Sequence, residues 1–252
     1  MKPYLFLYNL ASAGGWAYVL YLAVVSYLAG DSASKFWEKV EGPLKIVQTA
    51  AALEILHSLL RLVASPLFST LVQVGSRLVL LWGFTNASVL SQHHWSLYLM
   101  VGSWALVEVP RYVFYALNLY MAKVPYPLFF LRYNLFSVLY PSGIAGEVLQ
   151  IVSALPYLKS TNLACWYSAV ALILLYVPGS PYMYLHMLVQ RKSAAAKRAE
   201  AGRPAPAVNG IEFPKDKKGE RGTTTINQGA FEAAVGAVDK EAAAAVKRER
   251  YG

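Results

Sequence analysis

The first 190 residues of this chain carry too few charges to form the surface of a water-soluble domain. They hold 10 of the 23 Lys and Arg residues and 6 of the 14 Asp and Glu residues. A soluble domain is about one quarter charged. Three runs contain no Asp, Glu, Lys or Arg, and each exceeds the about 20 apolar residues that cross a bilayer: 3–30, 78–107 and 160–190. The composition therefore predicts a body that lies in lipid.

Six membrane-spanning helices are predicted within this body. Their ranges are 10–29, 44–64, 67–90, 96–121, 127–157 and 160–190. Polar or proline-containing stretches separate them, of which the mixed-charge loop 31–45 is the longest. The predicted fold class is an all-α polytopic membrane protein, with a six-helix transmembrane domain over 1–192. Residues 193–252 are predicted to form a basic, Ala-rich, mostly disordered cytosolic tail, because they have few large apolar side chains.

The distribution of Lys and Arg predicts the orientation. Arg191 and Lys192 follow the last span directly, and Lys123 lies between the fourth and fifth spans. Cytoplasmic flanks carry an excess of such residues, so both termini are predicted to be cytosolic. Three lysines in the loop 31–45 count against this orientation. Because the basic tail residues directly follow an apolar segment, they indicate a membrane flank and no nucleic-acid partner.

Ionisable residues inside the predicted spans are the first candidates for function. They are Glu54, Arg77, Glu108, Arg132 and Glu147, with Arg111 one turn after Glu108. Each costs about 2.5–3.5 kcal/mol at mid-bilayer on insertion scales, so such residues pair, face inward or line a polar cavity. For the glutamates at 54 and 108 and for the three arginines, a purely structural ion pair is as good an explanation as a functional role. Glu108 and Arg111 suit a local i, i+3 pair.

The fifth span carries the most specific pattern. Tyr140 and Glu147 are seven residues apart, so a helix places them on one face, about 10.5 Å apart along the axis. Pro141 removes a backbone N–H, which predicts a kink, and Gly143 allows another group to approach the backbone. Irregular backbone at this depth is tolerated where it lines a cavity. The pattern predicts that the two side chains meet one substrate in a polar pocket.

Four blocks in this order resemble the 3-hydroxyacyl-CoA dehydratase family of very-long-chain fatty-acid elongation, also called protein-tyrosine-phosphatase-like or PASTICCINO2-like. They are QTAAALEILHSLLRLVASP (48–66), QVGSR (73–77), EVPRYVFYAL (108–117) and LRYNLFSVLYPSGIAGE (131–147). The resemblance covers about 5–190, and the last block holds the family's Tyr-Pro-x-Gly-x-x-x-Glu pattern. The chain departs from the family at Arg61, where the resemblance implies a glycine.

The resemblance implies a hydro-lyase of the endoplasmic reticulum membrane. Such an enzyme removes water from (3R)-3-hydroxyacyl-CoA to give trans-2-enoyl-CoA, the third step of a cycle that also supplies sphingolipids with very-long-chain fatty acids. It implies that Tyr140 and Glu147 are catalytic. The implied partners are the long-chain substrate, membrane lipid, an elongase, a 3-ketoacyl-CoA reductase and a trans-2-enoyl-CoA reductase. The phosphatase label does not fit, because no arginine follows Cys165 at the spacing of a Cys-x5-Arg loop.

Dehydration requires a base for the C2 proton, an acid for the C3 hydroxyl and donors for the thioester oxygen. We predict Glu147 as the base and Tyr140 as the acid, with the reverse assignment left open. The predicted substrate-positioning or polarising residues are Arg77, Arg132, Gln73, Gly143 and Glu54. The reaction requires no metal or redox cofactor, and coenzyme A is part of the substrate.

Two other functions are consistent with the intramembrane charges. A small transporter would string them along a path, whereas a dehydratase would gather them around one pocket. A non-catalytic membrane scaffold would use the charges structurally and would be expected to lack the tyrosine or the glutamate of the fifth span; both are present.

Overall fold

A computed structural model describes residues 1–200 except 64 and 122, and this part of the chain is helical, without β-strands. The helices are α1 (Lys2–Leu28), α2 (Ala33–Ala50), α3 (Ala52–Leu59), α4 (Leu67–Leu78), a π-helical segment (Val79–Thr85) that continues α4, α5 (Val89–Gln92), α6 (Ser96–Asn118), α7 (Tyr126–Asn134), α8 (Phe136–Thr161) and α9 (Leu163–Glu200). Residues 201–252, which hold most of the predicted tail, lie outside the described residues.

In the described part of the chain, four helical stretches are long and apolar enough to cross a membrane. They are Lys2–Leu28, Leu67–Thr85, Tyr126–Thr161 and Leu163–Ala196. They coincide with the first, third, fifth and sixth predicted spans. The crossings predicted at 44–64 and 96–121 are not among these four and stay predictions.

α6 is the central helix of the fold. It packs against α1 on one side and α8 on the other, while α2 packs on α1 and α9 packs on α8. Large side chains fill the interior, and the indoles of Trp16 and Trp104 are almost fully buried. α8 therefore lies between α6 and α9 and packs against both.

The segment 31–45 was predicted to be a polar loop, and this prediction is wrong for most of it. α2 begins at Ala33, and the Ser32 side chain accepts a hydrogen bond from the backbone N–H of Lys35. Phe36, Trp37, Val40 and Leu44 recur at helical spacing and are all buried. The charged residues lie between them, so the segment is an amphipathic helix whose apolar face packs into the core.

The three lysines of this segment are all in ion pairs. Lys35 and Lys39 pair with Asp31, and Lys45 pairs with Glu41. Hydrogen bonds from Lys39 and Lys35 lower the pKa of Asp31 to about 2. The carboxylate therefore stays charged throughout the neutral pH range and anchors the start of α2 to the end of α1.

α9 continues beyond the predicted domain boundary at 192. The helix extends to Glu200, and Arg198 donates a hydrogen bond to the carbonyl oxygen of Val124 at 2.8 Å. Its guanidinium also lies over the ring of Phe129, 4.7 Å from the centroid. The first eight residues of the predicted tail thus form the end of a helix that contacts the segment before α7 and α7 itself.

The C-terminal end of α3 explains the departure from the family pattern at Arg61. This residue has a φ of 54°, in the left-handed region. Its N–H donates to the carbonyl of Ser58, and the N–H of Leu62 donates to that of His57. These two bonds form a Schellman cap, whose left-handed position glycine occupies without strain. The glycine that the resemblance implies is therefore the residue that this backbone favours.

We expect Arg61→Gly to stabilise the protein by about 1 kcal/mol, because a residue with a Cβ is strained in the left-handed region. The midpoint of thermal unfolding in detergent would measure the change. Arg61→Ala is the matched control, since it removes the charge and keeps the Cβ. Equal stabilisation by both variants would assign the effect to the exposed charge and contradict the backbone explanation.

Candidate active site

Glu147 lies on α8 at the junction of three helices. Trp104 on α6 donates its indole N–H to one carboxylate oxygen, Oε1, at 2.7 Å. Tyr176 on α9 donates its hydroxyl to the other oxygen, Oε2, also at 2.7 Å. In the described part of the chain no Lys or Arg lies within ion-pair distance of this carboxylate. Glu147 is thus held by two neutral donors from different helices.

Tyr140 lies on the same helix, two turns before Glu147, and also points towards α9. Its hydroxyl donates to the backbone carbonyl of Ser180 at 3.2 Å. Its ring centroid is 5.9 Å from that of Tyr184. Both side chains of the predicted pair therefore contact α9, which confirms the prediction that they share one face of the fifth span.

The interruption of the fifth span does not occur where the sequence indicated it. We expected irregular backbone at Pro141 and Gly143, but α8 is helical through both residues. The helical segments α7 and α8 instead meet at Leu135, five residues before Tyr140. Tyr140 and Glu147 therefore lie on one uninterrupted helix, and the tyrosine follows its first turn.

Gly146 permits the close approach of α8 to α6. A Cβ placed there would lie 2.7 Å from the backbone nitrogen of Met100 and 2.9 Å from its Cα. At Gly143, which we predicted to open the wall of the site, a Cβ would lie 3.6 Å from the Cβ of Ser103, an ordinary contact. The glycine that the packing requires is thus Gly146, and its contact brings Trp104 within reach of Glu147.

We expect Gly146→Ala to cost about 1–3 kcal/mol of stability and to lower activity, because the added methyl group would separate α8 from α6. Gly143→Ala is the matched control and should unfold at an unchanged or higher temperature. Thermal unfolding and turnover of both variants would be compared. Equal behaviour of the two variants would contradict the close contact between the helices.

Four charged side chains form a neutral cluster beside this site. Arg111 donates to both oxygens of Glu54, at 2.8 and 2.7 Å, and its Nε donates to Glu108. Arg77 pairs with the other oxygen of Glu108. The local pair predicted between Glu108 and Arg111 is confirmed as part of this cluster. Two positive and two negative charges thus balance within a mostly apolar body.

The cluster adjoins the site through Arg77. The guanidinium carbon of Arg77 lies 5.2 Å from the ring centroid of Trp104, within the range of a cation–π contact. The same indole donates to Glu147. Among the predicted positioning residues, Arg77 is therefore one contact away from the carboxylate, whereas Glu54 lies at the far end of the cluster, bound by Arg111 and the hydroxyl of Tyr112.

Arg132 and Gln73 lie apart from the pair. Arg132 donates to the hydroxyl of Tyr115 at 2.9 Å, and its Nε is buried without a hydrogen-bond partner. Gln73 is exposed, and in the described part of the chain its side chain makes no hydrogen bond; its carbonyl accepts one from Ser76. Among the described residues, neither side chain is hydrogen-bonded to Tyr140 or Glu147.

Sequence reasoning did not find three residues that shape the site: Trp104, Tyr176 and Gly146. Trp104 is four residues before Glu108, so its place on the charged face of α6 was a usable signal. Gly146 directly precedes Glu147, but nothing distinguishes it from Gly143 in the sequence. Tyr176 lies in a charge-free run with several other tyrosines, and only the packing of α9 on α8 identifies it.

Among the described residues no group of three His, Cys, Asp or Glu side chains is arranged to hold a metal ion. The chemistry that the described arrangement can perform is proton transfer. The carboxylate of Glu147 and the phenol of Tyr140 both face α9. The neutral charge cluster reaches this site through the contact of Arg77 with Trp104.

Comparison with known proteins relates this geometry to a reaction. Residues 48–197 match the family model of protein tyrosine phosphatase-like protein, PTPLA. Very-long-chain (3R)-3-hydroxyacyl-CoA dehydratase PASTICCINO 2B of Oryza sativa subsp. japonica is 43% identical over 79% of this chain and 96% of its own length. PASTICCINO 2 of Arabidopsis thaliana is 40% identical over 78% and 94%. The Homo sapiens dehydratase 2 is 36% identical over 78% and 82%. No solved structure matches the chain.

Proposed function

The chain belongs to the PTPLA family of very-long-chain (3R)-3-hydroxyacyl-CoA dehydratases, and we propose that Tyr140 and Glu147 are the residues that remove water from its substrate. The protein is a hydro-lyase that converts a (3R)-3-hydroxyacyl-CoA to the trans-2-enoyl-CoA in fatty-acid elongation. The observation that carries the assignment is the environment of Glu147, whose two oxygens each accept one neutral donor.

This environment suits a general base. A carboxylate that accepts two hydrogen bonds is stabilised in its ionised form, and an ionised carboxylate is acceptor-only. In the described part of the chain no cation pairs with Glu147 to neutralise it. Its negative charge thus remains available to take the C2 proton, which is acidified by the neighbouring thioester carbonyl.

Tyr140 suits the acid in this scheme, because its hydroxyl already acts as a donor, to the carbonyl of Ser180. In the elimination, Glu147 takes the C2 proton, the C2=C3 double bond forms, and the C3–O bond breaks. The C3 hydroxyl leaves as water with the proton of Tyr140. Return of the proton from Glu147 to the Tyr140 phenolate restores the enzyme. The proposed reaction is redox-neutral and requires no cofactor beyond the coenzyme A of the substrate.

The thioester oxygen requires a donor when negative charge develops on it. Arg77 is the best-placed of the predicted polarising residues, because it contacts the indole that binds Glu147. Arg132 and Gln73 make no contact with the pair, and we propose a supporting role for Arg132 through Tyr115. Glu54 supports the site by charge balance, whereas the contacts of Gly143 give it no specific role there.

The arrangement of charges favours an enzyme over a transporter. A transporter would string its charges along a path, but Glu54, Arg77, Glu108 and Arg111 form one cluster. That cluster adjoins Trp104, and thereby the proposed catalytic pair.

We further propose a multi-pass protein of the endoplasmic reticulum membrane with six crossings and both termini in the cytosol. Four helical stretches are apolar enough to cross, and α2–α3 and α6 would supply the other two. The proposed partners are the elongase and the two reductases of the same cycle, because they make the substrate and consume the product. The products of the whole cycle would include very-long-chain fatty acids for sphingolipids.

The full chain, purified in detergent, should convert a long-chain (3R)-3-hydroxyacyl-CoA to the trans-2-enoyl-CoA, as followed by mass spectrometry of the thioesters. The (3S) substrate is the control, and we expect it to react much more slowly. Absence of enoyl-CoA from a folded preparation would contradict the proposal. Equal rates with both configurations would contradict a fixed position of the acid relative to the C3 hydroxyl.

A further inference from the structure

From the contacts of α9 we infer that Tyr176 is a positioning residue for the reaction, which holds the Glu147 carboxylate in its productive orientation. This inference rests on the proposed catalytic role of Glu147. The hydroxyl of Tyr176 donates to Oε2 of Glu147 at 2.7 Å, the usual length of an O–H···O hydrogen bond. Its ring packs against the buried core, so its position is fixed by surrounding side chains.

Tyr176 forms one half of a clamp, of which Trp104 is the other half. The two donors reach opposite oxygens of the carboxylate and come from different helices, α9 and α6. Rotation of the carboxylate about its terminal bond would break both hydrogen bonds. A base must lie within hydrogen-bond reach of the proton that it abstracts, so fixing the carboxylate plane directly supports catalysis.

The register of the two helices places both members of the pair against α9. Glu147 contacts Tyr176, and Tyr140 contacts Ser180, one helical turn further along α9. One turn of α9, from Tyr176 to Ser180, thus contacts both reacting side chains, and Tyr176 is the residue of that turn that binds Glu147.

Among the described residues, few charged or titratable groups surround Glu147. Tyr140 lies on its own helix and Tyr176 on α9. Arg77 of α4 approaches over the Trp104 ring and pairs with Glu108 of α6. Because Arg77 already has a carboxylate partner, the hydroxyl of Tyr176 is a principal stabiliser of the charge on Glu147.

The test is Tyr176→Phe in the full-length protein, which removes one hydroxyl and keeps the ring. We expect kcat to fall about 10- to 100-fold with little change in KM, the effect of losing one hydrogen bond to a charged group. The acidic limb of the pH–rate profile should move to higher pH, because the charged form of the base loses a donor. Tyr182→Phe, on an exposed side chain of the same helix, is the matched control and should match the parent protein.

Two comparisons separate this inference from the proposed function. In a Glu147→Gln background, Tyr176→Phe should cause no further loss, since residues that act as one unit are not additive. If Glu147→Gln alone retains activity, the proposed pair fails. If Glu147→Gln is inactive while Tyr176→Phe keeps the parent kcat and pH profile, the role of Tyr176 is overturned. A loss of activity that accompanies lower thermal stability with an unmoved pH profile also overturns it, in favour of a packing role.

Discussion

Glu147→Gln and Tyr140→Phe should each lower kcat by about 10²–10⁴-fold, the usual contribution of a positioned general base or acid. Glutamine keeps the shape of the side chain but cannot take a proton, and phenylalanine keeps the ring but cannot give one. Because Trp104 can still donate to the remaining oxygen at 147, the variant should fold. Turnover of a (3R)-3-hydroxyacyl-CoA by purified protein would measure both effects.

Matched controls for these variants are available in the chain. Glu38→Gln changes an exposed acid of α2, and Tyr182→Phe changes an exposed tyrosine of α9. Both should leave turnover unchanged. Retained activity in Glu147→Gln together with lost activity in Tyr140→Phe would overturn the two-residue scheme.

A substrate with a different leaving group would distinguish the acid from the base. Fluoride departs with less need of a proton than hydroxide does, so a 3-fluoroacyl-CoA requires mainly the base. We expect Tyr140→Phe to recover activity with this substrate and Glu147→Gln to stay inactive. The opposite pattern would assign the base to Tyr140 and reverse the scheme.

The second large effect is expected at Arg111, the centre of the charge cluster. Arg111→Met should destabilise the protein by about 3–5 kcal/mol, because it leaves partly uncompensated carboxylates in the interior. Glu54 would lose its bidentate partner, and Glu108 would keep only Arg77. Denaturant-induced unfolding in detergent micelles would measure the loss, and the yield of folded protein should fall with it.

Charge balance can be separated from packing by a double variant. Arg111→Met with Glu54→Gln restores a neutral set of one positive and one negative charge, so it should be more stable than Arg111→Met alone. If the double variant is no more stable than the single one, the cost arises from lost packing of the guanidinium, which lies 4.2 Å from the centroid of the Tyr112 ring. An unchanged stability in Arg111→Met would contradict the cluster itself.

The relation between Tyr140 and Glu147 could be predicted from sequence because it is local. Two residues seven positions apart on one helix lie on the same face, however the rest of the chain folds. The balance of intramembrane charges also follows from sequence, since the cost of an unpaired charge in lipid requires partners. The local pair of Glu108 and Arg111 also follows, but distant partners do not: Arg111 bridges α6 and α3, and Glu54 is 57 positions away in the chain.

Two expectations about the backbone were wrong. The charges of 31–45 and its Gly42-Pro43 pair indicated a loop, but buried side chains at helical spacing outweighed them in α2. Pro141 indicated an irregular helix, but α8 continues through it, and the interruption lies at Leu135. In α2, burial of an apolar face decided the backbone over the local preference of proline.

The scarcity of charge in the first 190 residues indicated, by itself, a body that lies in lipid. Its charge-free runs, each longer than about 20 residues, indicated helices, because a helix satisfies its own backbone hydrogen bonds in lipid. The motif in the fifth span indicated the acid and the base. Only the tertiary structure decided what surrounds them. Gly146 lets α8 approach α6, the packing of α9 brings Tyr176 to Glu147, and Trp104 binds the other carboxylate oxygen. These contacts join residues between 29 and 46 positions apart in the chain. Helical periodicity relates only residues a few turns apart, so it does not predict contacts over such separations.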